Sequence, residues 1–128
     1  MIKTRQQICE KLSVCEATVK HLPDFPKPLD SQYFSNLVLY REKEFYEWFK
    51  RIIEEQQKDV VYKGDIRKER LIRLKELTEL LSASKSHIYK QVKLGNLPKQ
   101  IKVGLRASGW LRSDINEVLR QNGLSEVA

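Results

Sequence analysis

Between Leu74 and Leu119 one spacing recurs so regularly that few folds can accommodate it. Leu77 and Leu81 lie four apart and share one face of a short helix. Ile88 and Val92 repeat that spacing on a second helix, for which Ser84 is the N-cap. Ser82, Ala83 and Ser84 are small and polar, as a tight crossing between two helices requires. The pattern predicts a helix-turn-helix, whose second helix can enter a DNA major groove. The groove side of that helix would carry Lys85, Ser86, His87, Tyr89, Lys90 and Lys93, nearly all donors. Leu97-Pro98, a glycine-punctuated hairpin over residues 103–109 and a third helix opening at Ser113 complete a winged helix. The fold class expected is mainly α with short β-hairpin wings.

The same residues carry a family resemblance. Leu74-Lys-Glu-Leu77, Ser84-Lys-Ser-His-Ile-Tyr-Lys90, Gly95-Asn-Leu-Pro-Lys99 and Trp110-Leu-Arg-Ser-Asp-Ile115 resemble the AlpA-type prophage regulators and excisionases, in order and in spacing. The likeness runs from about Arg70 to Gln121. It implies a MerR-like winged-helix fold and DNA binding in mobile-element biology. That role would be switching a recombination gene or directing an integrase towards excision. The turn departs from the pattern, since Ser82-Ala83 stands where many members have a glycine.

Charge divides the chain unevenly. Of the 128 residues, 1–60 hold ten Lys and Arg against ten Asp and Glu, whereas 61–128 hold fourteen against seven. The whole net charge of +7 therefore lies in the second half, as nucleic-acid contact concentrated there would require. A chance bias on a solvated surface is the alternative. No apolar run approaches a membrane span. The first residues lack the apolar stretch of a signal peptide, so the expected location is cytoplasmic. Cys9 and Cys15 fit no metal-ligand pattern and read as reduced thiols.

The first half repeats the second in weaker form. Ile8, Leu12 and Val19 fall on Leu77, Leu81 and Ile88, each displaced by 69. Phe25-Pro26-Lys27 falls on Leu97-Pro98-Lys99 at 72, and Tyr40, Phe45, Trp48 and Phe49 fall on Trp110, Ile115, Val118 and Leu119 at 70. The reading is an internal duplication giving two tandem winged helices, against chance likeness between short amphipathic helices. The domains expected are 1–58, a degenerate winged helix; 59–69, a linker; 70–123, the DNA-binding winged helix; and 124–128, a frayed tail. Thr4 with Gln7 forms a capping box for the first helix. A second helix is predicted over residues 16–21, a wing tip over 30–36, a strand over 37–40 and a long helix over 42–57. Residues 67–81 fit either one helix or a short extended segment followed by a helix, and the resemblance favours the latter. Ser113 with Asn116 opens the last helix, and Gly123 ends it.

Phe45, Trp48, Phe49, Ile52 and Ile53 form a wide apolar stripe on the long helix. Ile52 and Ile53 lie past the end of the matching helix in the second half, so they need a protein partner: the second domain or another subunit. Ser86, His87 and Lys90 sit where a recognition helix meets bases, and Lys can donate to guanine O6 and N7. His87 has the alternative of a merely exposed helix residue. Tyr89 suits a phosphate contact or the core edge equally. Lys85 and Lys93 suit phosphates, Lys102 joins the DNA-contacting set, and Arg106 at the hairpin tip is a minor-groove probe or a solvated loop residue. Trp110 is assigned to the core. In the first half Lys20 and Lys27, with His21, would give a weaker footprint, because Glu16 stands where the second half has Lys85.

No Walker loop, Gly-x-Ser-x-Gly or His-x-x-x-His pattern occurs, so neither enzyme activity, cofactor nor metal is expected. The functional expectation is a sequence-specific double-stranded DNA-binding protein, an excisionase or a transcriptional regulator, acting with an integrase or recombinase and self-associating on DNA. The rival is an assembly adaptor, such as a terminase small subunit or a replication-initiation accessory, which a separate apolar partner surface on the first half would favour. The charge split predicts that residues 66–128 bind duplex DNA with affinity falling steeply as salt rises, and residues 1–58 far more weakly. Equal binding by the two halves in a salt titration would contradict it.

Overall fold

The structure, a computed structural model, describes residues 1–30, 38–57, 61–104 and 107–128. Strand β1 (Ile2–Thr4) leads into helix α1 (Arg5–Leu12). Thr4 Oγ1 accepts from the Gln7 amide at 3.1 Å, and the Gln7 side chain accepts from the Thr4 amide at 2.9 Å. The expected capping box is present. Helix α2 spans only Glu16–Val19, two residues short of the predicted end, because Lys20 and His21 pass into a turn. Strand β2 (Leu39–Arg41) pairs antiparallel with β1, and helix α3 (Glu42–Gln56) follows directly. The strand expected at 37–40 thus lies at its late end, with Leu37 and the wing tip at 31–36 outside the described residues.

The second half begins with strand β3 (Leu71–Ile72), then helices α4 (Leu74–Leu81) and α5 (Lys85–Lys93), strands β4 (Ile101–Gly104) and β5 (Ala107–Leu111), and helix α6 (Arg112–Gln121). The extended Leu71–Ile72 decides between the two readings of residues 67–81 in favour of a strand before the helix. The sheet order is β3-β5-β4, all antiparallel. Geometry recurs between the halves at the displacements read from the sequence. Both α1 and α4 end on a left-handed serine, Ser13 at φ 54° and Ser82 at φ 49°. The pairs Ile2 with Arg41 and Lys3 with Tyr40 fall on Leu71 with Leu111 and Ile72 with Trp110.

Strand alternation sends successive side chains of this sheet to opposite faces. Ile72 and Trp110 enter one core with Leu77, Ile88, Leu97, Ile115 and Leu119. Leu71, Ile101, Val103, Ala107 and Leu111 enter another core with Ile8, Leu12, Val19, Phe45, Trp48, Phe49 and Ile53. The second core therefore spans both halves. Gly109 allows the close approach within the sheet, since a Cβ there would meet Ile72 O at 2.9 Å and Leu71 Cβ at 3.1 Å. Gln56, at the end of α3, covers the free edge of β4: Lys102 N donates to Gln56 Oε1 at 2.7 Å, and Gln56 Nε2 donates to Lys102 O.

Segments read as connections and tail are anchored. Glu69, in the expected linker, is 1 % exposed. Its carboxylate accepts from Ser113 N at 3.1 Å, Ser113 Oγ at 2.6 Å and Tyr62 Oη at 2.6 Å. It serves as the cap of α6, which starts at Arg112 with no side-chain cap from Leu111. Ser113 thus lies inside the first turn rather than opening the helix. Burial, and then the bond to Glu69, pushes the Tyr62 phenol far above its usual range, so it stays a donor. Asn116 does not complete a helix start either. It accepts from Val127 N at 2.8 Å and donates to Val127 O at 3.1 Å, which docks the tail expected to be frayed.

Ile53 is fully buried in the core that spans both halves, and Ile52 packs against it. Of the two partners expected for this pair, Ile53 takes the second half of its own chain. A fragment of residues 66–128 would lay bare Leu71, Ile101, Val103 and Leu111, so the charge comparison belongs on the intact chain. Ile53→Ala should cost about 2–5 kcal/mol, from lost burial and a residual cavity. Urea unfolding followed by Trp48 and Trp110 fluorescence and by circular dichroism should remain one transition. Separate midpoints for the halves would contradict a shared core.

Candidate nucleic-acid interface

Helix α5 is built to present one face and bury the other. Ser84 Oγ accepts from the His87 amide at 3.1 Å and caps its N-terminus, as expected. Its C-terminus closes on Gly95 at φ 83°, with Asn96 N donating to Gln91 O at 2.9 Å, a left-handed stop that glycine makes without steric cost. Ile88 is fully buried and Val92 partly so, which fixes the helix's rotation against α4 and α6. Lys85, Ser86, His87, Tyr89, Lys90 and Lys93 are all exposed as a consequence. Tyr89 is 41 % exposed.

The crossing from α4 to α5 is set by Ser82 in the left-handed region, where its amide reaches Glu79 O and Ala83 N reaches Thr78 O. A non-glycine residue there carries a steric cost of about 1–2 kcal/mol. The Trp110 indole, fully buried, donates to Pro98 O at 2.8 Å and ties the loop after α5 to the sheet. That places Trp110 in the core, as read from the sequence.

Among the described residues Lys85, Lys90 and Lys93 have no ion-pair partner, whereas Arg70 is tied to Glu76 and Arg120 to Glu117 and Glu126. The Glu76 carboxylate beside Arg70 raises that guanidinium above its ordinary value. The basic groups of α5 thus remain available to an outside anion, whereas Arg70 and Arg120 are used within the fold. Lys102 is exposed on β4, with its backbone held by Gln56. Arg106 lies outside the described residues. Lys20 and Lys27 are exposed on the first half, where they line one cavity with Arg5, a residue the sequence reading passed over. The signal for Arg5 was present: the 69-residue displacement puts a cation where the second half has Leu74.

A helix-turn-helix followed by a β-hairpin and a closing helix is the arrangement of the winged-helix class, mainly helical with small open hairpins. Residues 70–122 match the family described as prophage CP4-57 regulatory protein (AlpA). Over 51 residues the chain is 35% identical to a protein of Enterobacteria phage P4 described as "Uncharacterized protein ORF88". That stretch covers 40% of this chain and 58% of the phage protein. No solved structure matches. The likeness to the AlpA family is thus confined to the second half of the chain. Among the described residues no helix is long and apolar enough to cross a membrane, and no cluster of His, Cys, Asp or Glu could hold a metal ion.

Removing the cap tests how the reading face is held. Ser84→Ala should destabilise the protein by about 0.5–2 kcal/mol, whereas Ser82→Gly should shift stability the other way by relieving the left-handed serine. Thermal melts of the two variants, with amide exchange along α5, give the measurement. Unchanged exchange in α5 on loss of the Ser84 hydroxyl would mean that packing of Ile88 alone holds the helix.

Proposed function

We propose that the chain is a sequence-specific double-stranded DNA-binding protein of prophage or mobile-element type, an excisionase or a transcriptional regulator, that reads DNA through α5. The observation that carries the reading is the exposed face of α5, with three lysines free of ion pairs, inside the segment similar to AlpA. Ser86, His87 and Lys90 are the base-contacting set, and Lys85, Tyr89, Lys93 and Lys102 the phosphate-contacting set. Arg106 is the minor-groove probe of the wing.

The reading extends to an internal duplication, with winged helices at 1–58 and 70–123. It is supported by the common left-handed serines, the matching strand registers and five corresponding buried pairs from Ile8 with Leu77 to Phe49 with Leu119. The first repeat adds a weaker DNA footprint through Lys20 and Lys27. Occupying adjacent stretches of duplex with two repeats would bend or stiffen DNA and change how a recombinase or polymerase assembles there. Of the apolar pair that the adaptor reading would offer to a partner, Ile53 is spent on the second half of the same chain.

Replacing Lys90 by Ala should cost about 1–3 kcal/mol on the preferred site and relax preference at one position. Lys93→Ala should weaken all sequences alike and lower the salt slope by about one unit. The assay is binding of the intact chain to a randomised duplex library at two salt concentrations. A uniform loss from Lys90→Ala would mean that α5 holds DNA without reading it.

A further inference from the structure

Arg5, the first residue of α1, lines a cavity of about 280 Å³ with Lys20, Phe25, Pro26, Lys27 and Tyr40. Its Nε is closed to solvent and has no hydrogen-bond partner among the described residues. No carboxylate is among the residues lining this cavity. The guanidinium, with its Nε left unmatched inside the fold and two further cations lining the same cavity, carries a cost that an anion held in the cavity would offset.

The second half shows what this location looks like when it serves packing alone. Leu74 stands in the place of Arg5 and Trp110 in the place of Tyr40, by the displacements of 69 and 70. Leu74 packs on the core that holds Trp110, and the buried Trp110 indole donates to Pro98 O. The first half has a smaller ring here and a guanidinium in the place of the leucine. Three cationic residues lining one opening suit a tetrahedral oxyanion, and a guanidinium matches phosphate oxygens in a fixed fork.

We propose that this cavity is a phosphate-binding subsite, with Arg5 as the fixed donor and Lys20 and Lys27 closing over the anion. The phosphate is that of a DNA backbone or of a small phosphorylated molecule, both of which offer the same oxyanion. In its DNA-borne form the inference rests on the DNA-binding reading above.

The test uses the intact chain and inorganic phosphate, with chloride at matched ionic strength as control. The expected result is a saturable shift of the Arg5 Nε–Hε resonance with phosphate only. Arg5→Leu, which installs the residue the second half carries, should keep the fold and bind phosphate about tenfold more weakly. Lys20→Ala with Lys27→Ala, both surface changes, should weaken it as well. An Arg5 resonance indifferent to phosphate, or undiminished phosphate binding by Arg5→Leu, would overturn the proposal. Duplex binding then identifies the source: a salt slope lowered by about one unit in Arg5→Leu assigns the phosphate to DNA. An unchanged slope with an intact phosphate response assigns it to a small molecule. A wild-type chain that binds no duplex would sink the DNA reading and leave the phosphate titration to stand by itself.

Discussion

The three-stranded sheet β3-β5-β4 is the constraint on which the rest depends, because both its faces are buried in different cores. Period-two alternation makes that possible from very few residues. Leu71 and Leu111 point to the core that spans both halves, while Ile72 and Trp110 point to the core beneath the helix-turn-helix. A register slip by one residue would exchange the two sets and put an indole where leucine fits. Gly109 holds that register, since any side chain there would strike the backbone of β3. The corresponding sheet of the first half has one such face only. Ile2 and Arg41, in the places of Leu71 and Leu111, are exposed.

Polar contacts between and within the halves hold this arrangement where apolar contact alone would allow sliding. Gln56 pairs with the backbone of Lys102 as another strand would, and so covers the edge of β4. Ser13 Oγ donates to Leu71 O at 2.7 Å, tying the end of α1 to β3. Glu69 caps α6 from a distance of 44 residues in sequence, with Tyr62 as a further donor. A buried carboxylate is tolerated there because four donors meet it and the positive end of a helix lies beside it. Its charge, after burial itself, helps to raise the Asp114 carboxyl above its ordinary value.

The outcome for binding is a division of labour among cations. Arg70, Arg112 and Arg120 are drawn into contacts that hold the segment before β3, the start of α6 and the tail. The lysines of α5 are left on an exposed face whose orientation is set by Ile88 beneath them. Net charge locates the basic half, and the internal contacts remove these three arginines from the cations an outside anion can readily meet.

Much of this was legible because it depends on near neighbours in the chain. The spacing of Leu77, Leu81, Ile88 and Val92, the serine cap of α5, the capping box at Thr4 and the stripe on α3 all follow from local periodicity and hydrogen bonding within a turn. The sequence by itself also determined that Trp110 is core and that Ile88 and Val92 share the covered face of α5, because residues four apart lie side by side on a helix. Tertiary structure alone decided that Ile53 meets β4, that Glu69 caps α6, that the tail docks on Asn116 and that Arg5 faces a cavity. Those four outcomes depend on groups 11 to 48 residues apart meeting in space. Nothing in local spacing encodes such a distance: a buried carboxylate and a solvated one read the same until their partners are known.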